Sequence, residues 1–142
     1  MRRDLMFASY IIAFATLAGC GKESFDLAPV HGNVSVDGKP LFQGKVMFAP
    51  TAKGERNPGK PAWGDIASDG GFRLTTFKKD DGAVVGDHWV TIINSDEELP
   101  EDVSEFARIM LPKTVSVTAG KDNQIDIKTT SEIIEKYRED DR

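Results

Sequence analysis

Apolar and polar positions alternate differently in successive parts of this chain. Leu5 to Leu17 is an apolar run broken only by Ser9, Tyr10 and Thr16. A transmembrane helix needs about 20 apolar residues, so this run fits the ~7–15-residue apolar part of an N-terminal signal helix. From Pro29 the period becomes two. Val30, Gly32, Val34 and Val36 alternate with His31, Asn33, Ser35 and Asp37, the pattern of a half-buried strand. Further strands are predicted over 45–49, 63–68, 72–75, 86–94, 114–118 and 123–128. Turn residues separate them: Asp37-Gly38, Asp69-Gly70-Gly71, Asp80-Asp81-Gly82 and Ala119-Gly120-Lys121-Asp122. The Asp69-Gly70-Gly71 turn reads as a hairpin. Residues 51–62 read as a polar, mobile loop rich in Gly, Pro and Lys.

Strand parity predicts a core of Val34, Val46, Phe48, Phe72, Leu74, Val90, Val117 and Ile125. The strand over 86–94 carries His88, Val90 and Ile92 on one face and Trp89 and Ile93 on the other. One segment leaves the β pattern. Val103, Phe106, Ala107, Met110 and Leu111 fall at helical spacing, and Pro100, Glu101 and Asp102 suit a helix start. A short helix is therefore predicted near 100–111. Residues 131–142 form a charged tail that suits a frayed terminal helix. Seven short strands with frequent turns predict an all-β sandwich or barrel.

The segment before the β region adds chemistry. Arg2 and Arg3 make the start net positive despite Asp4, and Leu17-Ala18-Gly19-Cys20 closes the apolar run. This resembles the lipobox of bacterial lipoproteins. Small residues let the backbone lie extended in a peptidase cleft. The Cys20 thiol then takes a diacylglyceryl group, and its freed amine takes a further acyl chain such as palmitate. The plainer alternative is a small buried cysteine behind an ordinary signal cleavage. By the same resemblance, Gly21 in place of Asp points to the outer membrane, with the domain in the periplasm or outside. The predicted organisation is a lipoprotein signal peptide (1–19), a lipidated cysteine and tether (20–28), a β-sandwich (29–130) and the tail (131–142). Eight tether residues after Cys20 span at most roughly 26–29 Å.

Composition narrows the function classes. The 142 residues carry a formal charge of −5 with no dense basic cluster, which argues against nucleic acid as a partner. The single cysteine excludes an internal disulfide, and the two histidines, His31 and His88, have no zinc-ligand spacing. No cofactor is implied.

The β region also has a family resemblance. Val30-x-Gly32-x-Val34-x-x-Asp37-Gly38-Lys39-Pro40-Leu41 and Gly44-x-Val46-x-Phe48-x-Pro50 resemble the opening of small bacterial lipoproteins with a carboxypeptidase regulatory-like, transthyretin-like domain. Gly64-x-Ile66-x-x-Asp69-Gly70-x-Phe72-x-Leu74-x-Thr76 and Gly82-Ala83-x-x-Gly86-x-His88-x-Val90 continue it. It covers roughly residues 29–130, and His88 stands where the family usually has Tyr. The resemblance implies a seven-stranded prealbumin/Ig-like β-sandwich, non-catalytic in most relatives. It concerns core and turn positions more than chemistry.

Related folds include hydroxyisourate hydrolases, which use histidines, an arginine and a C-terminal Tyr-Arg-Gly-Ser. Here Tyr137-Arg138 is followed by Glu139-Asp140. His31 reads as an exposed strand residue and His88 as a stand-in for the core-edge Tyr. No nucleophile elbow or phosphate loop is present. The acid pairs Asp80/Asp81 and Glu97/Glu98 read as solvated loop charge. Asp65, Asp69 and Asp87 can meet in a sandwich and hold calcium, though no EF-hand-like loop supports it. Trp63 and Trp89 are the candidate binding surface, since an exposed aromatic can stack on a sugar or peptide. The plainer reading places Trp89 and Ile93 beneath the 100–111 helix. The expectation is a lipid-anchored, non-enzymatic envelope module with a binding or structural role. An accessory enzyme and a carbohydrate-binding module are the alternatives.

Overall fold

A computed structural model of the chain describes residues 24–52, 57–94 and 107–133. β1 (Leu27–Ala28) leads into β2 (Val30–Val36), and the Asp37–Gly38 turn joins β2 to β3 (Lys39–Pro40). β4 (Lys45–Pro50), β5 (Ala62–Asp65) and β6 (Gly71–Arg73) come next, then β7 (Ala83–Val84) and β8 (Gly86–Asn94). β9 (Ala107–Met110), β10 (Val115–Val117), β11 (Asn123–Gln124) and β12 (Ile127–Thr129) complete the described strands.

These strands make two five-stranded sheets and a β1–β7 ribbon. The first sheet runs β10-β8-β4-β5, with β9 also on β8, and every pair is antiparallel. The second is built on β2. β3 and β6 pair with it antiparallel, whereas β11 and β12 pair with it parallel. Parallel neighbours cannot be joined by a tight turn, and here the connection passes through the first sheet.

Alternation places one face of each sheet in a shared core. Phe48 of β4 meets Phe72 of β6 with ring centroids 6.1 Å apart. Val34, Val46, Phe48, Phe72, Leu74, Val90 and Val117 are buried as predicted. Full burial of such a side chain contributes about 1.5–3 kcal/mol. The fold is thus mostly β, with opposed sheets.

Several expectations need correction. Ile125 is only half-buried, although it packs against the core. The last predicted strand breaks there into β11 and β12. The Ile125 N–H donates to the His31 carbonyl at 2.9 Å, and the Asp126 carboxylate accepts the Asn33 N–H at 3.1 Å. Gly32 permits this close approach, since a Cβ there would lie 1.9 Å from the Ile125 carbonyl oxygen.

The 100–111 helix is overturned where it can be seen. Residues 107–110 are strand β9, antiparallel to β8, while 100–106 lie outside the described residues. Ile109 faces the core opposite Ile92, and pairing along β8 outweighs the helical spacing. The Asp69-Gly70-Gly71 turn closes a hairpin, as expected. The Gly70 N–H donates to the Ala67 carbonyl and the Ala67 N–H to the Gly71 carbonyl, both at 2.9 Å, and the same register meets again at the antiparallel Trp63–Thr75 bridge, while β6 also pairs with β2. Of the 51–62 loop, Ala62 is buried in β5 and 53–56 lie outside the described residues. Ser131, Glu132 and Ile133 are helical, and 134–142 lie outside the described residues. Among the described residues, no helix is long and apolar enough to cross a membrane.

Candidate functional site

The outward face of the first sheet carries the candidate surface. Partners across an antiparallel ladder share a face. Trp63 of β5 is opposite Met47 of β4, Met47 is opposite Thr91 of β8, and Thr91 is opposite Met110 of β9. Trp89 is opposite Ala49 and so stands on the same face, one pleat further along. Trp63 and Trp89 are 42% and 43% exposed. Two inter-strand steps and two residues of rise put their backbones about 12 Å apart. The expected cover over Trp89 is a correction: β9 flanks β8 edge to edge as a strand. Ile93 and Thr91 of the same face are buried, while Met110 is exposed.

Beside Trp63 opens a cleft of about 390 Å³, lined by Lys45, Trp63, Gly64, Asp65, Arg73, Thr75, Lys79 and Asp80. Trp63 and Thr75, which both line it, are joined by reciprocal backbone bonds at 2.9 and 2.8 Å. On the Trp63 side, Lys45 pairs with Asp65 at 2.9 Å, both well exposed. One aromatic wall with charges of both signs suits a polar ligand that has an apolar face.

The histidines are apart. His88 is fully buried against Phe48 at 5.9 Å, and its Nε2–H donates to the Val84 carbonyl at 2.6 Å. A carbonyl only accepts, so Nε2 must carry the proton. Nδ1 is buried without a partner among the described residues. The ring therefore fills core space, as the parity argument expects. His31 is half-buried, not simply exposed, and its Nδ1 lies 3.0 Å from the Asp122 carboxylate. Sequence spacing could not give that contact, because it depends on the parallel β2–β11 register. Among the described residues, no hydroxyl or thiol is hydrogen-bonded to His31.

The acids are mostly structural. Asp65 pairs with Lys45, Asp69 accepts the Gly71 N–H at 2.9 Å, and the Ser116 hydroxyl donates to Asp87. Asp65, Asp69 and Asp87 do not come together as a calcium set, and no cluster of three metal-ligating side chains occurs among the described residues. Asp81 accepts the N–H groups of Thr76, Phe77 and Lys78 at 2.7, 2.9 and 2.7 Å. Partial burial opposes its charge, but the bonds from Thr76, Lys78 and Phe77 outweigh that and hold its carboxyl below the ordinary range. Buried Asn123 escaped the sequence reading. It accepts the Thr118 N–H at 2.9 Å and donates to the Thr118 and Lys121 carbonyls at 3.0 and 3.1 Å, closing the β10–β11 turn. Cys20, Glu97, Glu98 and Tyr137 lie outside the described residues.

No family model, curated protein or solved structure matches the chain. What the face can do therefore follows from its own chemistry.

Proposed function

We propose that this chain is the precursor of a lipoprotein anchored through Cys20 in the cell envelope, at the outer membrane. Its transthyretin-like β-sandwich is a non-enzymatic binding module. The observation that carries the reading is the pair Trp63 and Trp89, exposed together on one sheet face beside a polar cleft. Exposed large aromatics on a rigid sheet offer contact area at little entropic cost. The lipobox-like Leu17-Ala18-Gly19-Cys20 supports the anchor. Burial of His88 in the core, with its Nε2–H committed to the Val84 carbonyl, supports a module without catalysis.

A carbohydrate ligand is favoured by one further observation. The Trp63 wall is bordered by Lys45, Asp65, Arg73 and Asp80, donors and acceptors suited to hydroxyl groups. The test is a tryptophan-fluorescence titration of residues 21–142 with solubilised peptidoglycan fragments and envelope polysaccharide. We expect a saturable change, weakened at least about tenfold by Trp63→Ala or Trp89→Ala, as for aromatic hot spots. Binding that both variants retain in full would remove this face from the account. Hydroxyisourate turnover lost on His31→Ala would replace the binding module with the enzyme.

A further inference from the structure

We infer that the sandwich rests on the lipid bilayer through the end built by Phe25, Phe77 and Lys60, and so holds one orientation at the membrane. The inference rests on anchoring at Cys20. The tether is shorter than its sequence suggests, because the domain captures its last part. Leu27 and Ala28 pair with Val84 and Ala83, and the Val85 N–H donates to the Asp26 carbonyl at 2.8 Å. Gly82 makes room for this strand: a Cβ there would lie 1.9 Å from the Ala28 carbonyl oxygen, and its φ is 91°. Phe25 is fixed as well, stacked on Phe77 with centroids 6.3 Å apart and planes 12° from parallel.

Five residue steps then separate Cys20 from Phe25, at most roughly 17–18 Å of extended chain. The seven residues of β2 carry the sandwich about 20 Å further, away from this end. An acylated Cys20 in the headgroup layer therefore keeps the Phe25–Phe77 end close to the lipid and the Asp37–Gly38 end remote.

The near end has the chemistry of an interface. Phe77 is 48% exposed although it sits in a loop pinned by Asp81, so the ring is presented in a fixed position. The Lys60 ammonium lies 5.5 Å from the Phe77 centroid. Lys78 and Lys79 are exposed beside it. Such side chains lay their stems along apolar surface and send the ammonium to phosphate. Asp26, Asp80 and the ionised Asp81 balance the three lysines, so the rings supply the attraction and salt has little effect. On a chain of net charge −5, this is still an end that an anionic surface does not repel.

The test uses the full chain, produced in a bacterial host, extracted with its lipid and placed in phosphatidylcholine–phosphatidylglycerol vesicles. In a Trp63→Phe, Trp89→Phe background, Phe77→Trp reports the near end and Phe42→Trp the far end. With brominated phospholipid we expect the Phe77→Trp indole to lose most of its emission and the Phe42→Trp indole to keep it. Hydrogen exchange on the unsubstituted lipoprotein reads the same contact without mutation: vesicles should slow exchange at Phe77 to Asp80 and not at Ala67 to Gly70. An intact mass lacking the acyl chains would overturn the anchor and this inference together. An acylated chain with equal quenching at both ends, or none at Phe77→Trp, would overturn the orientation alone.

Discussion

Asp81 illustrates how one side chain sets a surface. Its two oxygens gather three successive N–H groups, and the Thr76 hydroxyl donates to the Gly82 carbonyl at 2.7 Å to close the same loop. Charge-assisted bonds of this kind are stronger than neutral ones. The folded carboxyl titrates below its ordinary value of 3.8, so the ionised form is the stabilising one. That stability is complete above the unfolded pKa and is lost as pH falls through the lower folded pKa. Asp81→Asn should therefore flatten the decline of the urea midpoint below about pH 4. At neutral pH, Asp81→Ala should cost about 1 kcal/mol, as loss of a cap does. An unchanged acid limb in Asp81→Asn would mean the carboxylate is not holding the loop. At this scale the sequence was half legible. Asp80-Asp81-Gly82 announces a turn, and parity places His88 inward. The bonds reaching back to Thr76 and the Asp122 contact to His31 depend on loop closure and strand order, which spacing does not encode.

At the scale of elements, strand β9 separates two readings of the same residues. The helical stripe turns Met110 inward and leaves Ile109 off the apolar face. The strand does the reverse, with Ile109 buried opposite Ile92 and Met110 exposed opposite Thr91. Short apolar segments satisfy both periods, and the adjacent edge of β8 decides between them. Ile109→Asp should then cost about 3 kcal/mol or more, because it buries an unpaired charge. Met110→Asp should stay within about 0.5 kcal/mol, the usual range for a surface change. Urea unfolding of the two variants checks this, and the opposite ranking would restore the helix. Elsewhere the period-two segments were readable because each buries one face, and six of the seven became continuous strands. The last broke because a polar Asp126 and a missing Cβ at Gly32 favour an irregular approach to β2.

For the whole molecule, two opposed sheets place an aromatic face, a polar cleft and the paired Leu27–Ala28 segment on one small body. The all-β character was legible from alternation and turns. The order of strands was not, since parallel pairing of β11 and β12 with β2 joins residues some ninety positions apart, as Asn123 with Val30 shows. The Trp63–Trp89 face was legible only as a parity; the exposure of both rings is a property of the folded sheet. The account as a whole depends on the chain being held at a membrane by its one cysteine. The most direct measurement is the intact mass and N-terminal peptide of the full chain after production in a bacterial host. The account predicts that residues 1–19 are gone and that the new N-terminus is Cys20 carrying a diacylglyceryl group, with Cys20→Ser left unprocessed and unlipidated. A mature protein with a free Cys20 thiol, released from the membrane fraction, would contradict it.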